Sequence, residues 1–363
     1  MNLLTVTDAG LYCPAGEFHI DPWKPVDRAV VTHAHADHAS PGHAAVLASR
    51  EGRDVTRLRI GAQTPLETLE WGERRRIGNA NVSLHPAGHI LGSAQVRIEV
   101  AGEVWVASGD YKVEPDPTCS PFESVRAHTF ITESTFGLPI YRWPAQAQVI
   151  ADLHAWWEAN RAAGRASVLF VYALGKAQRI LAGLGTAAGP IVIHGALQAL
   201  TQAYRDAGVV LPDTQLVSAL PKAFPWHEAL VLAPPSAQGT PWMKRFGAYS
   251  DGFASGWMHI RGHRRRRAVD RGFVLSDHAD WPGLQSAIAA SGAQSIRVTH
   301  GHVPALVRWL RERGLDAEPM EARYAGEQDD GTLPEHAEPL PEEPGASGES
   351  ASAGPASRPR ATD

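Results

Sequence analysis

With 363 residues, of which 44% are hydrophobic, the sequence is long enough to bury more than one core. Its formal charge of −5 is unevenly spread: nine of the 39 acidic and two of the 34 basic residues lie from Gly326 onward, which leaves 30 acidic and 32 basic residues before it. No apolar stretch approaches the about 18 residues needed to span a membrane, and no signal peptide is apparent. The two cysteines have no metal-binding spacing, so we expect a cytoplasmic protein without a disulfide framework.

The first strand with a functional signal covers residues 28–32 and runs into His33-Ala-His35-Ala-Asp37-His38. Side chains alternate along an extended chain, so His33 and His35 point to one side, while Asp37 and His38 follow in the turn. This segment can therefore supply two ligands to one metal ion and two to a second ion nearby. Imidazole nitrogen and carboxylate oxygen suit zinc, and also manganese or iron. A His-rich surface turn would not explain this spacing.

Further candidate ligands follow later strands. His89, Asp110 and His300 follow strands predicted at residues 81–85, 103–107 and 295–299, respectively. The second of these strands forms a predicted hairpin with residues 95–100. Because each candidate lies just past the C-terminal end of its strand, we expect all of them to cluster at one edge of a sheet sandwich.

Between Asp110 and His300, residues 137–267 have the pattern of a separate α/β unit. Predicted helices at residues 144–163, 176–184 and 196–206 alternate with predicted strands at residues 166–172, 190–194 and 228–233. This alternation favours a parallel, doubly wound sheet.

The ordered ligands resemble the signature of the metallo-β-lactamase superfamily, in which H-x-H-x-D-H is followed by a lone His, an Asp and a final His. The resemblance implies two metal ions. His33, His35 and His89 would bind the first, and Asp37, His38 and His300 the second, with Asp110 bridging them. It also implies that Asp21 steadies the ligands through hydrogen bonds.

The insert resembles the β-CASP domain, the cap of nucleic-acid-processing members of this superfamily. The segments that carry this resemblance are Thr132-Glu133-Ser-Thr-Phe-Gly137, Tyr172-Ala-Leu-Gly-Lys-Ala-Gln178 and Leu275-Ser-Asp-His-Ala-Asp280. Asp277 is a departure, because the family usually has a small residue there, and its charge is expected to raise the pKa of the neighbouring His278.

The predicted fold is therefore α/β, a metallo-β-lactamase αββα sandwich with an inserted β-CASP α/β cap domain. The expected divisions are the first part of the sandwich (1–136), the cap (137–267), the second part of the sandwich (268–325) and a disordered, acidic Pro/Glu/Ser-rich tail (326–363). Within the family, residues 1–325 most resemble the bacterial ligase-associated DNA exonucleases, and the segments that carry this resemblance are Leu11-Tyr-Cys-Pro-Ala-Gly16, Asp21-Pro-Trp23 and Ser276-Asp-His-Ala-Asp-Trp281.

The residues also suggest a chemistry. Two metal ions that share a water molecule can hold it as hydroxide for in-line attack on a phosphate. The departing sugar oxygen then needs a proton, for which His278 is the candidate donor and Glu133 the residue that orients it. Asp37 is predicted to be a catalytic residue together with His278 and Glu133. The alternatives for His278 are a further metal ligand or a buried structural histidine.

The candidate substrate contacts are fewer than the candidate metal ligands, and the sequence patterns that indicate them are less specific. Lys176 follows Gly175 at a predicted helix start, where a cation and backbone N–H groups could meet a phosphate. Arg265 and Arg266 belong to the densest basic cluster, which could follow a nucleic-acid backbone, and a solvated charge run is the alternative. His302 could reach substrate from beside the last ligand.

The predicted function is a metal-dependent phosphodiesterase, a DNA exonuclease in DNA repair that uses two divalent ions, zinc or else manganese. Single-stranded DNA or DNA ends are the expected substrate, no membrane is involved, and a DNA ligase or helicase partner is implied by the resemblance. An RNA-processing nuclease of the same family is the first alternative, since His300 is retained. A glyoxalase II-like thioesterase or lactonase would need neither the cap nor His278, and a non-catalytic nucleic-acid-binding homologue would usually have lost ligands.

Overall fold

The computed structural model describes residues 2–185, 189–322 and 324, and the expected acidic tail at residues 326–363 lies outside them. This described part is a mixed α/β structure with three β-sheets. None of its helices combines the length and the apolar character that crossing a membrane requires.

The strands are numbered along the chain: β1 (Thr5–Val6), β2 (Leu11–Cys13), β3 (Phe18–Ile20), β4 (Ala29–Val30), β5 (Val46–Ser49), β6 (Leu66–Leu69), β7 (Arg75–Ile77), β8 (Ala80–Pro86), β9 (Ala94–Val100), β10 (Glu103–Ala107), β11 (Thr129–Ser134), β12 (Ala166–Phe170), β13 (Ile191–Ile193), β14 (Gln215–Leu216), β15 (Leu230–Ala233), β16 (Tyr249–Ala254), β17 (Arg271–Phe273), β18 (Ser295–Gly301) and β19 (Asp316–Pro319). The α-helices are α1 (Arg53–Ile60), α2 (Gln146–Ala162), α3 (Lys176–Leu184), α4 (Gln198–Asp206), α5 (Arg261–Arg267), α6 (Trp281–Ser291) and α7 (Val303–Arg311).

Two of the sheets pack face to face. The first contains β1 to β6 in sequence order, and the second has the order β19-β18-β11-β10-β9-β8-β7. Phe18 from the first sheet and Trp105 from the second belong to one buried core. On the outer faces, Ile60 of α1 packs against the first sheet, and Leu306 of α7 packs with Ile296 of the second. Each fully buried large apolar side chain contributes about 1.5–3 kcal/mol, so these layers give the ligand-bearing loops a rigid base.

The predicted hairpin is present as β9 and β10, paired antiparallel. Ala101 and Gly102 connect the strands with φ values of 50° and 85°. Positive φ at both central residues is typical of the type I′ turn, whose twist matches that of the flanking strands. The hairpin sets the direction of β10, which ends just before Asp110.

The third sheet lies in the insert, and its strands, in the order β14-β13-β15-β12-β16-β17, are all parallel. The sequence pattern did not predict β16, in which Asp251 and Gly252 interrupt the apolar run. β17 pairs with β16. The sheet of the insert therefore extends to Phe273, past residue 267, where the insert was expected to end.

The insert is packed onto the loops that carry candidate ligands. Ile90 and Leu91, directly after His89, belong to the same buried core as Leu174 in the insert. The backbone N–H of Leu91 donates a hydrogen bond to the Tyr204 hydroxyl at 3.1 Å. These contacts fix the insert against the C-terminal edge of the sandwich, where the candidate site lies.

Candidate metal centre

The loop after β4 brings three predicted ligands together. The ring centroid of His33 is 4.9 Å from that of His35 and 4.1 Å from that of His38. The backbone N–H of His38 donates to the carbonyl of His35 at 3.1 Å, which closes a turn directly after His35. This turn redirects Asp37 and His38 from the line of the strand.

His89 and Asp110 complete a first group of donors. Nε2 of His89 lies 3.1 Å from Nδ1 of His35 and 4.0 Å from Oδ2 of Asp110. Nε2 of His33 is 3.6 Å from the same oxygen. One ligand atom from each of these four residues lies within 4.8 Å of all the others, so the four could hold one ion.

Asp110 lies between this group and the remaining predicted ligands. Its Oδ2 is 3.5 Å from Nε2 of His38, and its Oδ1 is 3.1 Å from Nε2 of His300. Nε2 of His38 is also 3.7 Å from Oδ2 of Asp37, whose side chain is 22% exposed. The structure thus brings all seven predicted ligands to one site.

Several donor atoms at this site lack hydrogen-bond partners among the residues that the structure describes. They are Nε2 of His33, His38 and His300 and Oδ1 of Asp110, all of them buried. A buried polar atom without a partner is costly, and coordination of a metal ion would remove that cost. The donor set therefore fits divalent metal ions on the evidence of its own geometry.

The electrostatics of the site agree with this fit. Burial lowers the pKa of His35 to about 4 and that of His89 to about 3, so both rings are in the neutral form that binds metal. Burial also acts on His38, but the carboxylates of Asp37 and Asp110 outweigh it and raise the pKa of His38 well above its usual value. The same negative charge would stabilise a bound cation.

Asp21 lies where the sequence predicted a supporting carboxylate. Its Oδ2 accepts hydrogen bonds from Nδ1 of His38 at 2.7 Å and from the Thr32 hydroxyl at 2.5 Å. Its Oδ1 accepts from the backbone N–H of Thr32 at 2.7 Å. The φ of Asp21 is 43°, a left-handed conformation that is uncommon outside glycine and that often marks functional sites. These bonds leave Nε2 of His38 facing Asp110.

His278 and Glu133 form a buried pair beside the candidate ligands. Nδ1 of His278 lies 2.9 Å from Oε2 of Glu133, whose Oε1 accepts a hydrogen bond from the backbone N–H of Tyr111. The ring of His278 is 4.6 Å from that of His89. Burial lowers the pKa of His278, but Glu133 and Asp110 raise it above its usual value, which favours imidazolium. Asp110, Glu133 and His278 also offer ligand atoms within 4.8 Å of one another, so the alternative of a further metal ligand stays open.

Lys176 is buried rather than accessible at the start of α3. Its Nζ lies 3.4 Å from Oδ2 of Asp277 and 4.3 Å from the ring centroid of Tyr172. A phosphate contact by Lys176 stays a prediction, and it requires this ion pair to open. Since Arg179 also pairs with Asp277, at 3.2 Å, the added charge of Asp277 is balanced, and Glu133 is the carboxylate that raises the pKa of His278 most. The charge of His278 lowers the pKa of Asp277, so the two groups interact as the sequence suggested, but the effect of Asp277 on His278 is smaller than that of Glu133.

The other predicted substrate contacts also stay predictions. Arg265 is exposed and lines an open groove of about 540 Å³ with Asp152 and Asp270, apart from the predicted metal ligands. The side chain of Arg266 lies outside the described part of the structure. Nε2 of His302 is buried without a hydrogen-bond partner in the described residues, and its ring lies 5.7 Å from that of Tyr141.

An aromatic residue that the sequence did not single out covers the second ligand group. The ring of Tyr324 stacks on His38, with centroids 4.4 Å apart and planes 15° apart, and meets His300 edge-on at 5.6 Å. Its hydroxyl donates to the carbonyl of Ile20 at 3.4 Å. A single tyrosine after the last strand has no motif or periodicity around it, so no sequence signal could have identified it.

Replacing Tyr324 with alanine is expected to weaken metal binding by about 10-fold, the lower end of the range for residues that orient ligands. The reason is that His38 would lose the surface that fixes its ring plane. Equilibrium dialysis and cobalt(II) absorption spectra would measure the affinity. Tyr324→Phe keeps the ring and should bind metal as the unmodified protein does. Equal affinity in the alanine variant would show that the stack does not orient the ligand.

The chain is similar to several known proteins, although no family model matches it. It is 32% identical over 319 residues to a probable DNA ligase from Opitutus terrae, with 85% of this chain and 30% of that protein covered. It is 30% identical over 197 residues to an RNase J-like protein from Methanocaldococcus jannaschii, with 48% and 47% covered. The chain spans less than half the length of these curated relatives. A crystal structure of a protein of unknown function from Enterococcus faecalis has a TM-score of 0.50 at 11% identity and covers 75% of this chain and 74% of that one.

The fold and the site define a class, an α/β protein in which a paired-sheet sandwich and an inserted parallel sheet enclose a buried set of His and Asp donors suited to divalent ions. The relatives make the classification more specific. The chain belongs to the β-CASP family of the metallo-β-lactamase superfamily.

Proposed function

We propose that this protein is a metal-dependent nuclease that hydrolyses phosphodiester bonds, acting in the cytoplasm as a DNA exonuclease in DNA repair. The observation that supports it best is the position of Asp110, between two groups of histidine donors and beside the buried His278–Glu133 pair. A metallo-β-lactamase αββα sandwich under a β-CASP cap would place a substrate phosphate between these groups.

The residues that would hold two divalent ions, zinc or else manganese, form two sets: His33, His35 and His89, and Asp37, His38 and His300, with Asp110 shared. When bound, such a pair lowers the pKa of a water molecule and offsets negative charge at a phosphate. The partly exposed Asp37 carboxylate would orient the water that attacks the phosphate.

His278 would donate the proton that the departing sugar oxygen needs. Glu133 accepts from Nδ1 of His278, so Nε2 is the nitrogen that would transfer its proton to the substrate. The negative charge of Glu133 stabilises the imidazolium before transfer and fixes the plane of the ring. A positioned general acid typically contributes about 10²–10⁴-fold to the rate.

The preference for DNA is supported by the similarity to a protein named probable DNA ligase, which extends over 85% of this chain. On this proposal the substrate is single-stranded DNA or a DNA end, and the partner is a DNA ligase or a helicase. An RNA-processing nuclease is the second candidate, favoured by the similarity to an RNase J-like protein and by His300. A thioesterase or lactonase would require neither the packed insert nor the His278–Glu133 pair.

The test is to incubate metal-loaded protein with end-labelled single-stranded DNA, RNA of the same sequence and a small thioester. We expect stepwise shortening of the DNA with zinc or manganese, and its loss after chelation with EDTA. Preferential cleavage of RNA would support the second candidate. Consumption of the thioester alone would refute the nuclease proposal, and DNA that binds but survives with every metal would indicate a binding protein.

A further inference from the structure

A group of four buried charged residues lies next to the His278 segment and is not among the predicted metal ligands. We call Asp116, Lys176, Arg179 and Asp277 the interdomain ion cluster; their exposed fractions are 6%, 0%, 2% and 3%. Asp116 comes from the sandwich, Lys176 and Arg179 from α3 of the cap, and Asp277 from the residue before His278. The cluster therefore joins three separate parts of the chain.

Arg179 connects these parts. Its Nε lies 2.9 Å from Oδ2 of Asp116, and its Nη1 lies 3.2 Å from Oδ1 of Asp277 and also donates to the carbonyl of Ser276. The planar guanidinium suits this bridging, since it presents several N–H donors in a fixed arrangement. One side chain of the cap thus holds two consecutive residues of the His278 segment against the sandwich.

The charges in the cluster balance, with two cations and two carboxylates. Burial would raise the pKa of Asp277, but Lys176 and Arg179 lower it to about 2, so the carboxylate stays ionised. Buried ion pairs contribute little net stability compared with apolar packing, but they can specify one arrangement of the parts they join. Here that arrangement is the position of residues 276–278 between the domains.

The held segment bears directly on the site. The backbone N–H of His278 donates to the Ser276 hydroxyl at 3.1 Å, and Nδ1 of His89 donates to the carbonyl of Asp277 at 2.9 Å. On the cap side, Nε2 of His35 lies 3.3 Å from the carbonyl of Leu174, just before α3. A shift of the cap relative to the sandwich would therefore displace His278.

We propose that Arg179 and Asp277 are positioning residues, which hold the His278 segment between the two domains and make the placement of the proton donor depend on the seated cap. The inference rests on the proposed function, in which His278 is that donor. Neither residue is proposed to touch the substrate.

Three variants test this proposal. Asp277→Ala removes the side-chain contact with Arg179. Asp277→Asn removes the same charge but keeps an oxygen that can accept a hydrogen bond from Arg179. Arg179→Lys keeps the positive charge but cannot bridge both carboxylates. Glu228→Gln, which breaks an ion pair with Arg161 in the cap, is the matched control. The measurements are metal content and kcat on end-labelled DNA and on a p-nitrophenyl phosphodiester, whose leaving group departs without a proton.

We expect Asp277→Ala and Arg179→Lys to lose about 10²-fold in kcat on DNA, the effect of a misplacement of roughly 1 Å. Their kcat on the p-nitrophenyl ester and their metal content should be unchanged, and Asp277→Asn should lose clearly less. Equal loss in the alanine and asparagine variants would indicate an effect of charge alone. Parallel loss on both substrates, or loss of metal, would make the cluster a general structural element. Either result overturns the proposal.

Hydrogen exchange tests the positioning role without requiring an active enzyme. Backbone amides of residues 274–280 should exchange faster in Asp277→Ala and Arg179→Lys, while those of residues 31–39 keep their rates. Unchanged exchange at residues 274–280 would overturn the positioning role even if the protein cleaves nothing. If His278→Ala loses kcat equally on the two substrates, the proposed proton donor is wrong. If His278→Ala loses more kcat on DNA than on the p-nitrophenyl ester but Asp277→Ala does not, only this inference is refuted.

Discussion

Replacing Asp110 with asparagine should abolish hydrolysis, with a loss greater than the about 10⁴-fold upper limit typical for a general acid. Burial would raise the pKa of Asp110, but His38 and His300 lower it well below its usual range, so the carboxylate is ionised. Both of its oxygens lie within 4.0 Å of histidine donor atoms. An amide presents one oxygen and no charge, so the variant should lose the nucleophile and the charge that offsets phosphate together.

The measurements for Asp110→Asn are metal content by mass spectrometry and single-turnover cleavage of end-labelled DNA. At least one bound ion should be lost. Asp206→Asn, an exposed position at the end of α4, is the control and should match the unmodified protein. Retention of two ions, with cleavage within tenfold of the unmodified protein, would show that Asp110 is not the ligand that the two ions share.

Replacing His278 with alanine should slow DNA cleavage by about 10²–10⁴-fold, the usual contribution of a general acid. The physical reason is that a sugar oxygen leaves poorly unless it is protonated. A p-nitrophenyl phosphodiester has a better leaving group, so its hydrolysis should change little. This contrast between substrates is specific to a proton donor, because a misfolded site would be slow with both.

Metal content separates this role from the alternative. His278→Ala should bind as much metal as the unmodified protein, since Nδ1 is held by Glu133. Loss of an ion would instead identify His278 as a further ligand, consistent with its distance from Asp110 and Glu133. His227→Ala, whose side chain is 46% exposed, is the control for removal of an imidazole and should cleave DNA at the normal rate.

The local parts of the site could be predicted because their signals are local. Alternation and a turn place His33, His35, Asp37 and His38 within one segment, and the strand before each later ligand is a short apolar run. The helix from Lys176 to Leu184 has the bounds expected from its pattern. By contrast, β16 and β17 were missed because glycine and charged residues interrupt them, and the sheet of the insert therefore extends further along the chain than expected.

The sequence alone indicated the candidate donor residues and the alternation of helices and strands in the insert, since spacing along an extended chain dictates which side chains share a face. Its motifs also carried the resemblance to the family. Only the folded chain decided how distant segments meet: that Tyr324 covers His38, that Lys176 is buried against Asp277, and that Arg179 reaches both domains. Such pairings depend on packing between elements far apart in sequence, and no local periodicity encodes them.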